Sequence, residues 1–144
     1  MVRIFSTSFC ILFLILFPVA NSVLTKFRFN GSFTCSHKVA PFVQKVQVFE
    51  HDYLTFSDKL GEFNVFRTVA PNCMKYQFNF EEDGDGKPDD GFYEIYMKIW
   101  NTCMIPTKFN SKKISSYWFK TKLPVIDGII YATENVNLDK FSIN

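Results

Sequence analysis

Apolar and polar residues alternate along this chain in short stretches, each bounded by turn formers. Lys75-Tyr76-Gln77-Phe78-Asn79-Phe80 puts aromatic rings on one face and polar groups on the other, the period-2 signature of a half-buried strand. Phe92 to Trp100 is the strongest such stretch. Tyr93, Ile95, Met97 and Ile99 share one face, and Glu94, Tyr96, Lys98 and Trp100 share the other. Val43 to His51 sets Val46, Val48 and Glu50 on one face. Phe27 to Cys35 is β-prone with Gly31 inside it, which predicts a bulge or a close backbone approach. Further strands are predicted over 62–68, 114–122 and 128–133. Pro41, the polar turn Ser57-Asp58-Lys59, Pro71-Asn72, the Asp- and Gly-rich stretch 81–91, Pro106 with Asn110-Ser111, and Leu123-Pro124 separate these segments. No window of helical length carries a 3.6-residue period, and a short helix near 53–60 is the most the pattern admits. This spacing predicts an all-β sandwich of about seven strands in two packed sheets. Neither an internal repeat nor a linker divides it.

One stretch does not alternate. After Arg3, residues Phe9 to Phe17 are unbroken apolar, Pro18 ends the run, and Ala20-Asn21-Ser22 places small residues around one polar position. A positive start, an apolar run and a small-residue cleavage pattern make up a secretory signal peptide. The run is too short to cross a bilayer of about 30 Å. Cleavage is expected after Ser22, with Ala20 as the second choice. That gives a signal peptide over 1–22 and one domain over 23–144. No later stretch reaches the ~18 apolar residues of a membrane span, so the mature protein is expected to be secreted and extracellular, with no stable membrane span.

Composition agrees with strands. Aromatic residues make up 18% of 144 positions, with 18 Phe and 6 Tyr, types that favour pleated structure. Formal net charge is +2 and falls to +1 with the loss of Arg3. No basic block exists to neutralise phosphates, which argues against a nucleic-acid partner. Lys108, Lys112, Lys113, Lys120 and Lys122 bias the last third towards positive charge, read as a solvated face.

Loss of residues 1–22 also removes Cys10 and leaves Cys35, Cys73 and Cys103. An odd count in an oxidising compartment predicts a disulfide and one thiol over. If successive strands run antiparallel, all three cysteines reach the same pole, and spacing alone does not choose the pair. Asp83, Asp85 and Glu94 fit ligand positions of a calcium loop, but Lys87 stands at the next ligand position and Pro88 where the invariant glycine belongs. The loop therefore reads as a solvated strand connection. His37 and His51 are separated by an intervening strand, and no Ser-His-Asp order or metal-ligand spacing joins them. No catalytic residue, metal or cofactor is assigned.

Several segments together resemble the nematode transthyretin-like family. Gly31-Ser32-Phe33-Thr34-Cys35 matches its opening G-x-L-x-C strand with Phe for Leu, and Pro41, Val46-Gln47-Val48 and Glu50-His51-Asp52 follow its next strand. Asp58-Lys59-Leu60 is similar to its acidic turn. Met97-Lys98-Ile99-Trp100-Asn101-Thr102-Cys103 resembles its L-K-I-x-H-x-C strand without the histidine, and Thr133 to Asp139 its G-T-x-N-L-E motif. The resemblance covers about residues 27–140. It implies a transthyretin-type (prealbumin-like) sandwich, secreted and without known catalysis, with Cys35–Cys103 as its disulfide. Closing that loop would stabilise the fold by about 4 kcal/mol in a chain-entropy treatment. The related enzymes that hydrolyse 5-hydroxyisourate end in Y-R-G-S, whereas this chain reads Lys140-Phe141-Ser142-Ile143-Asn144, so that activity is not expected.

Asn30-Gly31-Ser32 is an N-glycosylation sequon. Tyr96 and Trp100 share a strand face with Glu94 and Lys98, while Tyr117 and Phe119 lie opposite Trp118 on a later strand. Exposed aromatics of this kind anchor interfaces, although scattered exposure is common. The expectation is a non-catalytic extracellular binding module for a protein, a lipid or a small apolar ligand. The alternatives are a degenerate secreted hydrolase and an extracellular structural component cross-linked through Cys73.

Overall fold

Two four-stranded sheets face one another and bury the inward side of each alternating stretch. The computed structural model describes residues 23–51, 56–84, 91–103 and 113–141. Its strands are β1 (Val23–Thr34), β2 (Val43–Glu50), β3 (Asp58–Phe63), β4 (Arg67–Ala70), β5 (Cys73–Gly84), β6 (Phe92–Tyr93), β7 (Ile95–Asn101), β8 (Lys113–Trp118), β9 (Leu123–Pro124) and β10 (Gly128–Asn137), followed by a 3₁₀ turn at Leu138–Lys140. Sheet A has the order β10-β1-β5-β4, sheet B has β3-β2-β7-β8, and β6 with β9 forms a two-stranded ribbon. Neighbours are antiparallel except β1 and β10, which run parallel from Thr25↔Gly128 to Thr34↔Asn137.

The sheets contribute different side chains to the core. Sheet A sends in rings: Phe27, Phe29 and Phe33 from β1, and Tyr76, Phe78 and Phe80 from β5. Sheet B sends in Val46, Val48, Ile95, Met97 and Ile99. Branched and linear chains on one side fill the gaps between rings on the other, which is how two pleated faces reach close packing. The rings also meet each other edge to face, as with Phe29 and Phe80 at 5.0 Å, or stack, as with Phe63 and Phe78 at 4.1 Å. Such pairs contribute about 0.5–1.5 kcal/mol each beyond burial. Polar groups inside are paired. The Thr25 hydroxyl donates to the Ile126 carbonyl at 2.6 Å and accepts from the Tyr93 hydroxyl at 2.9 Å, tying the ribbon to β1. Asn101 Nδ2 donates to Ser115 Oγ at 3.0 Å between β7 and β8. Among the described residues no buried side-chain nitrogen or oxygen lacks a partner.

Gly31 interrupts the inward row of phenylalanines on β1. It makes a close approach rather than a bulge, since its register is unbroken towards both Tyr76 and Glu134. Tyr76 fills the space beneath it, and its hydroxyl donates to the Glu134 carbonyl oxygen at 2.8 Å. A Cβ at position 31 would overlap that same carbonyl oxygen. Glu134 points inward, and the Tyr117 hydroxyl of sheet B donates to its Oε2 at 2.7 Å. One chain of contacts thus runs from β5 under β1 to β10 and across to β8.

Several strand expectations change. The described residues form ten strands where about seven were expected. Asp58 and Lys59 of the expected polar turn Ser57-Asp58-Lys59 instead open β3, whose backbone pairs with β2 through Glu50↔Asp58 and Phe49↔Lys59. No helix forms over 58–60, and 52–55 lie outside the described residues. The predicted strand 62–68 divides into β3 and β4, which join different sheets. Phe92 to Trp100 divides at Glu94, because β6 pairs away with β9 through Phe92↔Pro124 and Tyr93↔Leu123. Leu123-Pro124, expected as a turn, supplies that partner. The expected signal peptide 1–22, Lys108, Lys112, Pro106 with Asn110-Ser111, and 85–90 of the Asp- and Gly-rich connection also lie outside the described residues. No helix among the described residues is long and apolar enough to cross a membrane.

Gly31→Ala is expected to lose about 2–4 kcal/mol, from overpacking plus the broken Tyr76 hydrogen bond, read as a lower urea midpoint. The same cluster sets an alkaline limit. Burial first, and the Glu134 charge after it, raise the Tyr76 phenol; burial and then the hydrogen bond to Glu134 raise Tyr117. A phenol raised in the folded state stabilises fully below its unfolded value near pH 10, and that contribution is lost as pH climbs towards the folded value. Absorbance titration should show these two phenols ionising late, together with loss of near-ultraviolet circular dichroism.

Candidate ligand cleft and aromatic face

The outward side of sheet B carries a row of rings. Register pairs Phe49 with Tyr96 and Tyr96 with Trp118. The rings stack at 5.1 Å and 4.7 Å. Tyr96 is 8% exposed because its neighbours sandwich it, whereas Trp118 at the end of the row is 50% exposed. The expected Tyr96 and Trp100 surface therefore shifts to Trp118. Trp100 lies under Lys45, whose Nζ is 4.3 Å from the ring centroid. Lys98 Nζ sits 4.6 Å above Phe49. Contacts of this kind contribute about 0.5–1 kcal/mol at exposed sites.

Charge on this face is partly internal. Glu62 on β3 accepts from Lys59 Nζ at 2.7 Å and from Gln47 Nε2 at 2.6 Å, and Lys45 lies 3.7 Å from its other oxygen. The Lys59 hydrogen bond first, then that of Gln47, hold its carboxyl down to about 2. It therefore stays ionised opposite Lys45 and Lys59 at any physiological pH.

The row ends in a cleft of about 440 Å³ at the pole where β7 begins. Trp118, Phe92 and His51 form its walls, and Lys120, Lys122 and Glu94 line its mouth. The ring of His51 meets Trp118 edge-on at 5.3 Å, and its Nδ1 is 3.2 Å from Ser57 Oγ. The His51 amide donates to the Glu94 carbonyl at 2.9 Å, which fixes the end of β2 against β7. Lys122 Nζ lies 5.2 Å from the Phe92 ring centroid. Among the described lining residues, Lys120, Lys122 and Glu94 stand beside the exposed Trp118 and Phe92 rings, which suits an apolar body carrying a negative group. The size falls in the range of small-molecule sites, about 300–1,000 Å³.

Other sequence-derived sites fall elsewhere. Cys35 and Cys103 form a disulfide with a Cα–Cα distance of 5.9 Å, at the pole opposite the cleft. Cys73 shares that pole but is free. It pairs with Thr34 on the outward side of sheet A, whereas Cys35 is fully buried on the inward side. The Asp139 carboxylate accepts from the Ser36 amide at 3.1 Å and 3.0 Å, and its Oδ1 lies 3.4 Å from Cys103 Sγ. Cys35, Cys103 and Asp139 cluster within 4.8 Å, but the bonded sulfurs offer no thiolate to a metal. His37 follows β1 at the disulfide pole, and His51 follows β2 at the cleft. Tyr117 and Phe119, whose shared face the sequence did not assign to core or solvent, pack against the core. Phe49 was not singled out in the sequence; its only signal is its parity opposite Val46 and Val48.

No protein-family model, no curated protein and no solved structure matches this chain.

The disulfide closes a loop with a sequence separation of 68. Replacing both Cys35 and Cys103 by Ala is expected to cost about 4 kcal/mol in urea denaturation. Reductant should lower the wild-type midpoint by a similar amount and leave the double variant unmoved.

Proposed function

We propose that this protein is a secreted, non-catalytic binding module of the transthyretin-like type that holds a small apolar anion in the cleft beside Trp118. The observation that carries the reading is the half-exposed Trp118 ring at the end of the stacked row, with Lys120 and Lys122 lining the same cleft. A flat ring such as Trp118 offers an apolar ligand a surface with little side-chain entropy to lose, and Lys120 and Lys122 favour a carboxylate or sulfonate over a neutral or cationic group. An extracellular setting is supported by the signal-peptide pattern in residues 1–22 and by a disulfide in the folded domain. The transthyretin-like assignment rests on the quoted motifs and on two packed sheets carrying the implied Cys35–Cys103 pair. The non-catalytic reading is supported by the placement of His37 and His51 at opposite ends of β2, which keeps them from acting on one substrate.

A fluorescent aromatic sulfonate, 8-anilinonaphthalene-1-sulfonate, tests the cleft. Saturable binding by the folded full chain is expected, together with quenching of tryptophan emission. Trp118→Ala and the double change Lys120→Glu with Lys122→Glu should each weaken binding about ten-fold, a change of about 1.4 kcal/mol. Unchanged far-ultraviolet circular dichroism would show that the variants remain folded. Equal affinity in wild type and both variants would remove the cleft from consideration. A native mass spectrum of protein secreted from eukaryotic cells complements this, since a ligand lost on activation would identify the natural occupant.

A further inference from the structure

Part of the outward side of sheet A is polar where sheet B carries its ring row. Over three strands it presents amides and hydroxyls: Asn30 and Ser32 on β1, Gln77 on β5, and Thr133 and Asn135 on β10. These line a cleft of about 630 Å³, walled on the β4 side by Val65 and Arg67 and with Lys75 beside it. Among the described residues no carboxylate lines it. Oriented amides and hydroxyls in a shallow groove match the alternating donors and acceptors of a saccharide.

The sequon Asn30-Gly31-Ser32 lies in the floor of this cleft. Its two functional residues are separated by one position on a strand, so both face outward. Asn30 is exposed. The Thr133 hydroxyl donates to Asn30 Oδ1 at 2.8 Å, which commits the carbonyl end of the amide to β10. Asn30 Nδ2 has no hydrogen-bond partner among the described residues. Ser32 Oγ donates to Asn135 Oδ1 at 2.8 Å, fixing the far end of the groove. Gly31 between them carries no side chain to either face.

We propose that Asn30 carries an N-linked glycan whose first sugars lie in this cleft against Gln77, Asn135 and Arg67. This rests on the extracellular reading above. The bond formed joins Asn30 Nδ2 to the anomeric carbon of N-acetylglucosamine. The bond broken is that carbon's link to the pyrophosphate of a lipid-linked oligosaccharide, which leaves with the electron pair while the amide loses one proton. The sugar then covers the outward face of sheet A and leaves the ring row of sheet B open to ligand.

The test uses the full chain expressed in eukaryotic cells with its own N-terminal segment. Intact mass of the protein in the medium should exceed that of the peptide by an oligosaccharide. Peptide-N-glycosidase should remove it and leave Asp at position 30. Asn30→Gln and Ser32→Ala should both abolish the addition, and Ser32→Thr should retain it. Seating in the cleft is read separately: release from the native protein should be about ten-fold slower than from the unfolded protein, because it requires local opening. Gln77→Ala with Asn135→Ala, which leaves the sequon intact, should speed native release. A glycan released equally fast from native and unfolded protein overturns the seating. A processed chain in the medium with a bare Asn30 overturns the glycan alone. A chain retained in the cell with residues 1–22 attached overturns the extracellular reading together with it.

Discussion

The close passage of β10 against Gly31 is the constraint on which the rest of sheet A depends. A missing Cβ lets the Glu134 carbonyl approach β1 and lets the Tyr76 ring slide beneath it to donate a hydrogen bond. That contact holds a parallel pair whose partners come from the first and last strands of the described fold. Such a pair has no turn to set its register. Tyr117 then ties the Glu134 carboxyl to sheet B. A buried acidic residue, costly when unpaired, becomes the link between the two layers at their β10–β8 side.

Alternation turns this one core into two unlike surfaces. β1 and β5 of sheet A turn their rings inward and amides outward, whereas β2 and β7 of sheet B turn aliphatic chains inward and the rings of Phe49 and Tyr96 outward. The contrast follows from which parity of each strand carries the rings. On β1 and β5 the phenylalanines share parity with the core. On β2, β7 and β8 the rings of Phe49, Tyr96 and Trp118 take the other parity and meet only because the register aligns them. A row of stacked rings and a polar groove thus arise on opposite sides of one sandwich.

The disulfide shows how near the sequence came to an answer. Antiparallel alternation put Cys35, Cys73 and Cys103 at one pole and left the pairing open. Parity would have gone further. Cys35 continues the buried row of Phe29 and Phe33, whereas Cys73 continues the exposed row of Lys75 and Gln77. Two sulfurs on opposite faces of one sheet cannot meet without moving the backbone. In the same way Phe49 was legible as outward-facing once Val46 and Val48 were placed inward, but its stacking on Tyr96 was not.

What the sequence determined by itself was the alternation: an all-β chain, most of its strands, rings gathered on one strand face, a glycine marking a bulge or a close approach, and the sequon. Side-chain period on a strand is a local property, so neighbouring residues suffice to read it. What only the tertiary structure decided was strand order and register. These joined Tyr96 to Trp118, sent β3 and β4 to different sheets, and turned Leu123-Pro124 from an expected turn into the partner of β6. They also brought Asn30 beside Thr133, 103 residues away. Pairing between distant strands depends on loops and packing that no short window of sequence contains.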